Sequence, residues 1–176
     1  MPFTPFHMGA GLIVKPAAQR NFSLISFGVA QIAMDIEPLI GILRNSQILH
    51  GPTHTFLGAI VIGLLVAVIS AYICRLILCR YNQEVNTYKL SWLSESAEPT
   101  RMAIGSGAFF GTLSHIVLDS FMHYDIRPFA PFSDVNPFLN LISHDGVYQL
   151  CFVLGVVGVM AWLMIKWLKH VYLGSK

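Results

Sequence analysis

Four long runs of the chain are almost wholly apolar and are bounded by polar or charged residues, at 22–43, 55–78, 102–122 and 147–168. About 20 consecutive apolar residues wound as a helix cross the hydrocarbon core of a bilayer. The pattern therefore predicts four membrane-spanning helices. A fifth apolar stretch, 6–14, is too short to cross at about 1.5 Å of rise per residue, and predicts a half-helix or an interfacial helix. Between these runs lie a polar connector, 80–101, and a Pro- and Phe-rich segment, 124–146, which reads as a structured lid at the membrane interface with its aromatics at headgroup depth. No internal repeat is evident. The expected fold is an all-α, polytopic membrane helix bundle in which 1–176 forms one domain.

Composition agrees with this reading. Hydrophobic residues make up 55% of the 176 positions and charged residues only 11%, outside the usual range for soluble domains. The formal charge of +2 and the absence of any Lys/Arg run exclude an electrostatic case for nucleic acid. Cys74, Cys79 and Cys151 have no metal-ligand spacing and offer no disulfide framework, so they read as small apolar residues. The N-terminus lacks the charged start and cleavage site of a signal peptide, and residue 1 onward is read as mature protein.

Charge distribution orients the spans. With the segment before the first span placed in the cytoplasm, that side holds Lys15, Arg20, Arg75, Arg80, Lys89, Arg101, Lys166, Lys169 and Lys176, against Arg44 and Arg127 opposite. The positive-inside rule then predicts both termini cytoplasmic. On that frame Asp35, Glu37, His50, His54, His115, Asp119, His123, His144 and Asp145 all fall toward the extracytoplasmic side. An ionisable group inside a bilayer costs about 2.5–3.5 kcal/mol on insertion scales, so a cluster of them reads as a functional site.

Imidazoles and carboxylates without a thiolate pair suit zinc foremost, and also manganese, iron or magnesium. In SHIVLDSFMH, His115, Asp119 and His123 stand at i, i+4 and i+8 on one helix face. The outer two are about 12 Å apart along the axis. They could therefore serve two adjacent ions, or two could ligate while His123 acts as acid or base; the plain alternative is a polar stripe bonded to neighbouring helices. In HGPTH, Gly51 and Pro52 place His50 in a loop and His54 in the first turn of a helix. His54 is the ligand candidate, and His50 a substrate-side or merely interfacial residue.

In MDIEPL a regular helix would turn Asp35 and Glu37 about 200° apart. Pro38 predicts a broken helix that lets both line one cavity, with Glu37 a ligand or an acid/base. His7, in TPFHMGAG, reaches the cluster if the half-helix starts at the membrane midplane. Arg127 could receive a phosphate through its planar fork, or pair with Asp125 or Asp134. His144 and Asp145 either complete a substrate-binding rim or cap the fourth span.

The ordered set TPFHMGAG, MDIEPL, HGPTHTFLGA and SHIVLDSFMHYDIRPFAPFS resembles the membrane-bound metal-dependent hydrolases of the YdjM type, also described as LexA-binding and associated with the bacterial inner membrane. The resemblance covers most of the chain. It implies His7, Asp35 with Glu37, His54, His115 and Asp119 as metal ligands, and 131–133 (PFS) as a loop signature. MDIEP departs from the family's usual Pro-Asp-x-Asp. A weaker likeness to soluble zinc-dependent phospholipases C implies phosphoester substrates.

The expected function is a membrane metal-dependent hydrolase acting on a phospholipid or lipid-linked phosphoester through metal-activated water. The expected partner is that membrane lipid or lipid-linked substrate, with no nucleic acid, and the sequence leaves open whether the chain is also a homo-oligomer. The rivals are a metal or proton transporter built on the same His/Asp groups, a catalytically silent adaptor, and a histidine-nucleophile lipid phosphatase. The phosphatase's Ser-Arg before H-x-x-x-D is missing, and no H-E-x-x-H occurs to support a zinc protease.

Overall fold

Each apolar run forms one long helix. The computed structural model describes residues 5–173, and across them the order is α1 (Met8–Ala18), α2 (Leu24–Leu43), α3 (Phe56–Thr87), α4 (Arg101–Met122) and α5 (His144–Leu173), with short 3-10 turns at Pro5–His7, Gln19–Asn21, Pro52–His54 and Ser91–Leu93. Lys176, counted above among the cytoplasmic charges, lies outside the described residues. Helices α2, α3, α4 and α5 are long and apolar enough to cross a membrane. Helix α1, at 11 residues and about 16 Å, is not.

Three spans begin where a hydroxyl satisfies a free helix N–H. Ser23 accepts from the Ser26 amide at 3.1 Å, Thr55 from Gly58 at 2.9 Å, and Thr100 from Ala103 at 3.1 Å. Helix α3 runs nine residues past the expected end at 78. The polar sequence after Arg80 keeps helical geometry because Arg80 and Glu84 pair at 2.7 Å one turn apart. Tyr81 and Asn82 also bond the connector at Leu93 and Glu95. The connector therefore shortens to 88–100. Helix α5 begins at His144, three residues before its predicted start.

Helix α2 corrects a second expectation. It continues unbroken through the buried Pro38, so Asp35 and Glu37 keep the divergent spacing of a regular helix. Proline inside a membrane helix is tolerated when neighbouring groups compensate the freed carbonyl.

Small residues set the packing. Helix α1 lies on α5, where a Cβ on Gly9 would collide with the Cys151 backbone carbonyl and one on Gly158 with the Leu12 carbonyl. Such close approach characterises helix pairs in lipid, where packing rather than water exclusion drives association. Helix α4 is central, with α2 and α3 against it around Ala30, Val66 and Ala108, and again around Met34, Ala59 and Ile116. Large apolar side chains on the outer faces, Leu64, Leu65 and Val68 of α3 and Val153, Val157 and Met160 of α5, are exposed, as lipid contact requires.

The two ends of the bundle differ. At one, Glu95 holds both Lys166 (3.0 Å) and the buried Lys15 (3.5 Å), and a cavity of about 900 Å³ opens among these residues, Arg20, Lys169 and Trp162. At the other, residues 123–143 fold onto the helix ends. The Phe56 amide donates to the Pro128 carbonyl at 2.8 Å, Asn140 to Phe121 at 3.1 Å, and Phe129 packs between Phe56 and Phe138. This segment covers most of 124–146, the stretch read as a lid, but 144–146 form the first turn of α5.

Candidate metal centre

Under that lid, α4 carries His115 and Asp119 one turn apart, with His115 Nε2 3.0 Å from Asp119 Oδ2. Two other elements aim at the same carboxylate, and a third reaches His115. His54, closing the turn before α3, brings Nε2 to 3.7 Å of Oδ2, and His7, just before α1, brings Nε2 to 3.5 Å of Oδ1. Asp35 of α2 lies 3.6 Å from His115 Nε2. His54 and His115 are wholly buried, and His7 is 2% and Asp119 4% exposed.

The outer nitrogens of His115 and His54 show where each ring carries its proton, whereas His7 Nδ1 is buried without a hydrogen-bond partner among the described residues. Gln31 donates its amide nitrogen to the Gly111 carbonyl at 3.0 Å, which leaves its oxygen facing His115 Nδ1 at 2.7 Å. Nδ1 therefore carries the proton and Nε2 the lone pair. At His54 the logic repeats through a hydroxyl. Thr53 Oγ1 donates to Glu37 Oε2, so it accepts from His54 Nδ1 at 3.0 Å, and Nε2 again presents a lone pair. A ring N–H held by an acceptor behind, with the opposite nitrogen free, is the usual posture of a metal-ligating histidine.

The Nε2 atoms of His7, His54 and His115 form no hydrogen bond within the described residues, although all are buried. They lie 3.0–3.7 Å from the Asp119 carboxylate oxygens. Lone pairs directed at a common space beside a carboxylate fit a divalent cation better than they fit one another. The donor atoms of His7, His115 and Asp119 lie within 4.8 Å of one another, as do those of His50, His54 and Asp119, and those of His50, His123 and Asp125. These groups can hold a metal ion.

The remaining sequence candidates fall in different places. Glu37 does not stand among the Nε2 atoms. Its Oε2 accepts from the amides of Gly51 (3.1 Å) and Thr53 (3.2 Å) and from the Thr53 hydroxyl, so it holds the 51–53 turn behind His54. His123 leaves the helix as the C-cap of α4 and stacks near His50, with ring centroids 4.4 Å apart. Burial lowers its pKa to about 4, so it is neutral at pH 7. Exposed His144 sits over His123 and Tyr148. Arg127 is exposed and paired with Asp134 at 3.0 Å, the alternative to phosphate binding, and Asp145 is exposed in the first turn of α5.

Two residues of the site have no counterpart among the sequence candidates. One is Gln31, whose only sequence signal is an amide one turn before Asp35 in an apolar span. The other is Asp125, read above only as a partner for Arg127. It accepts from His50 Nδ1 at 2.8 Å and from the Leu49 and His50 amides at 3.0 and 3.1 Å. Burial raises its pKa, but these donors outweigh burial and leave it below the ordinary carboxylate range. Six imidazoles thus form one row, His7–His115–His54–His50–His123–His144, with successive centroids 4.4–6.3 Å apart.

The family model for the YdjM inner membrane protein matches residues 5–175. No curated protein and no solved structure gives a match. The family match spans nearly the whole chain, including every element that contributes to the His/Asp cluster, and the chain belongs to the YdjM inner membrane protein family.

Proposed function

We propose that the protein is a membrane-embedded metal-dependent hydrolase whose substrate is a phosphoester of a phospholipid or other lipid-linked molecule. The observation that carries this reading is the convergence of three buried, unbonded Nε2 atoms on Asp119, with Asp35 alongside. His7, His54, His115, Asp35 and Asp119 would hold the ion, with zinc favoured by the nitrogen-rich donor set. Such an ion, when bound, supplies Lewis acidity and makes water nucleophilic near neutral pH.

The chain's own residues do the rest. Gln31 and Thr53 fix two of the imidazoles as neutral donors. His123, half-buried at the edge of the cluster, is placed to take or return a proton between the buried groups and the lid. Lipid-facing apolar walls let an amphiphile approach sideways with its acyl chains still in the bilayer, and the charge asymmetry of the sequence supports an outer-leaflet position for this end of the bundle.

Metal analysis of the purified protein, paired with phosphate release from a panel of phospholipids, tests the reading. About one or more equivalents of divalent metal and hydrolysis abolished by Asp119→Ala are expected; metal-free wild-type protein would overturn it. The unbroken row of six imidazoles, running from buried His7 to exposed His144, favours one rival, a proton or metal transporter. Ion flux in proteoliposomes without headgroup release would select that rival.

A further inference from the structure

The donors outnumber what one ion can use. His7, His50, His54, His115, Asp35 and Asp119 are six, whereas a zinc ion takes about four. They also divide in space. One set, His7, His115 and Asp119, closes on the α1 side; another, His50, His54 and Asp119, closes on the α3 side; Asp119 is common to both. Its Oδ1 lies toward His7, while Oδ2 lies within reach of both His115 of the first set and His54 of the second, so one carboxylate touches both sets.

His50 is held as His54 and His115 are. Asp125 accepts from its Nδ1 at 2.8 Å while gripping the Leu49 and His50 amides through the other oxygen. That arrangement fixes the loop before Pro52 and leaves His50 Nε2 as the free lone pair. The ring is buried, at 8% exposure, and packs edge-on to His54 with centroids 4.7 Å apart. A carboxylate behind an imidazole that faces a second carboxylate and a second imidazole is a ligand posture with its orienting partner already in place.

We infer that the cluster is a two-ion centre in which Asp119 bridges, His7, His115 and Asp35 serve the first ion, and His50 and His54 serve the second, with Asp125 as the positioning residue of His50. Two ions sharing a carboxylate lie about 3.5–4 Å apart in known two-metal sites, and clamp the attacking and leaving oxygens of a phosphoester from both sides. The inference rests on reading the cluster as a metal centre, and extends it to nuclearity and to two residues outside the ligand set that the family resemblance implies.

The test is titration of the purified, metal-stripped, full-length protein with Zn²⁺ for stoichiometry and with Mn²⁺ for electron paramagnetic resonance. Wild type is expected to take two equivalents and to give a spin-coupled Mn²⁺ spectrum. His50→Ala should take one equivalent and give the spectrum of an isolated ion. Asp125→Ala should weaken the second equivalent about 10–100-fold and leave the first unchanged, a split that loss of fold alone would not produce. Because the wild-type titration needs no variant, a variant that fails to fold leaves the test intact. A single equivalent with an uncoupled spectrum in wild type overturns the second ion and leaves the hydrolase reading standing, whereas no binding at all overturns both.

Discussion

Replacing Gln31 with leucine separates a structural amide from one that tunes a metal site. The side chain is 6% exposed and makes two bonds, from Nε2 to the Gly111 carbonyl at 3.0 Å and from Oε1 to His115 Nδ1 at 2.7 Å. Gln31→Leu keeps the approximate volume and removes both. Each bond contributes about 1 kcal/mol net, and the buried His115 N–H left without an acceptor costs about 1–3 kcal/mol more. A loss of at least about 2 kcal/mol in fold stability follows. The larger consequence is for the ligand: without an acceptor on Nδ1 the imidazole loses both its fixed tautomer and some basicity at Nε2, which weakens metal affinity about 10–100-fold.

The assay is thermal unfolding in detergent with and without added Zn²⁺, because at a fixed free concentration the stabilisation conferred by a ligand reports its affinity. At a free concentration 100 times the wild-type Kd that stabilisation is about 2.7 kcal/mol; for a variant bound 100-fold more weakly it falls to about 0.4 kcal/mol. Gln31→Glu supplies the control, since its carboxylate still accepts from His115 Nδ1 but cannot donate to Gly111. It should melt early yet retain most of the zinc-dependent shift. If Gln31→Leu melts early and keeps the full zinc shift, the orientation argument is wrong and Gln31 only ties α2 to α4.

Three further outcomes are expected. Glu37→Ala releases the Gly51 and Thr53 amides and the Thr53 hydroxyl, so it should weaken zinc binding without lowering the number of equivalents; loss of an equivalent in a metal titration would make Glu37 a ligand. Gly158→Val drives a side chain into the Leu12 backbone and should cost about 1–3 kcal/mol or more of stability, read as an earlier melting transition, whereas an unchanged transition would show that α1 does not depend on α5. In a background with Cys74, Cys79 and Cys151 replaced, Ser46→Cys and Ser91→Cys should react with an impermeant maleimide from opposite sides of the membrane, Ser46→Cys from outside; labelling of Ser46→Cys from the cytoplasm would reverse the orientation.

How much of this was legible depended on which residues the helical period governs. His115 and Asp119 could be paired from sequence because four residues make nearly one turn, and the pair is buried as read. His54 was separable from His50 because Gly51 and Pro52 must interrupt a helix, although the turn proved to be a 3-10 turn ahead of α3 rather than its first residues. Glu37 was misdirected by the proline rule. Pro38 predicted a break, but α2 carries it within a continuous helix, and the regular spacing sends Glu37 behind His54 while Asp35 faces His115. Gln31 and Asp125 were silent because neither acts through its own sequence neighbourhood. Gln31 matters only once α4 lies at a particular register against α2, and Asp125 only once the lid returns to residues 49–50.

The register itself has a sequence cause that joins the fold to the site. Gly107, Gly111, His115 and Asp119 follow one another at four-residue intervals along α4. At about 3.6 residues per turn each step advances the stripe by about 40°, so it winds through about 120° from Gly107 to Asp119. Its first half faces α2 at a distance that excludes side chains: a Cβ on Gly111 would stand 2.6 Å from that of Ala30. Its second half has rotated into the centre of the bundle, where His7 and His54 arrive. Close approach at Gly111 is what brings Gln31 within bonding distance of both the Gly111 carbonyl and His115 one turn later. His123 would extend the stripe by one more step, but α4 ends at Met122 and His123 turns out to meet His50 instead. One winding stripe thus packs α4 on α2 at its start, orients an imidazole at its middle and presents the central carboxylate at its end, so that the helix register alone places His115 and Asp119, while turns and a loop bring in His7, His54 and His50.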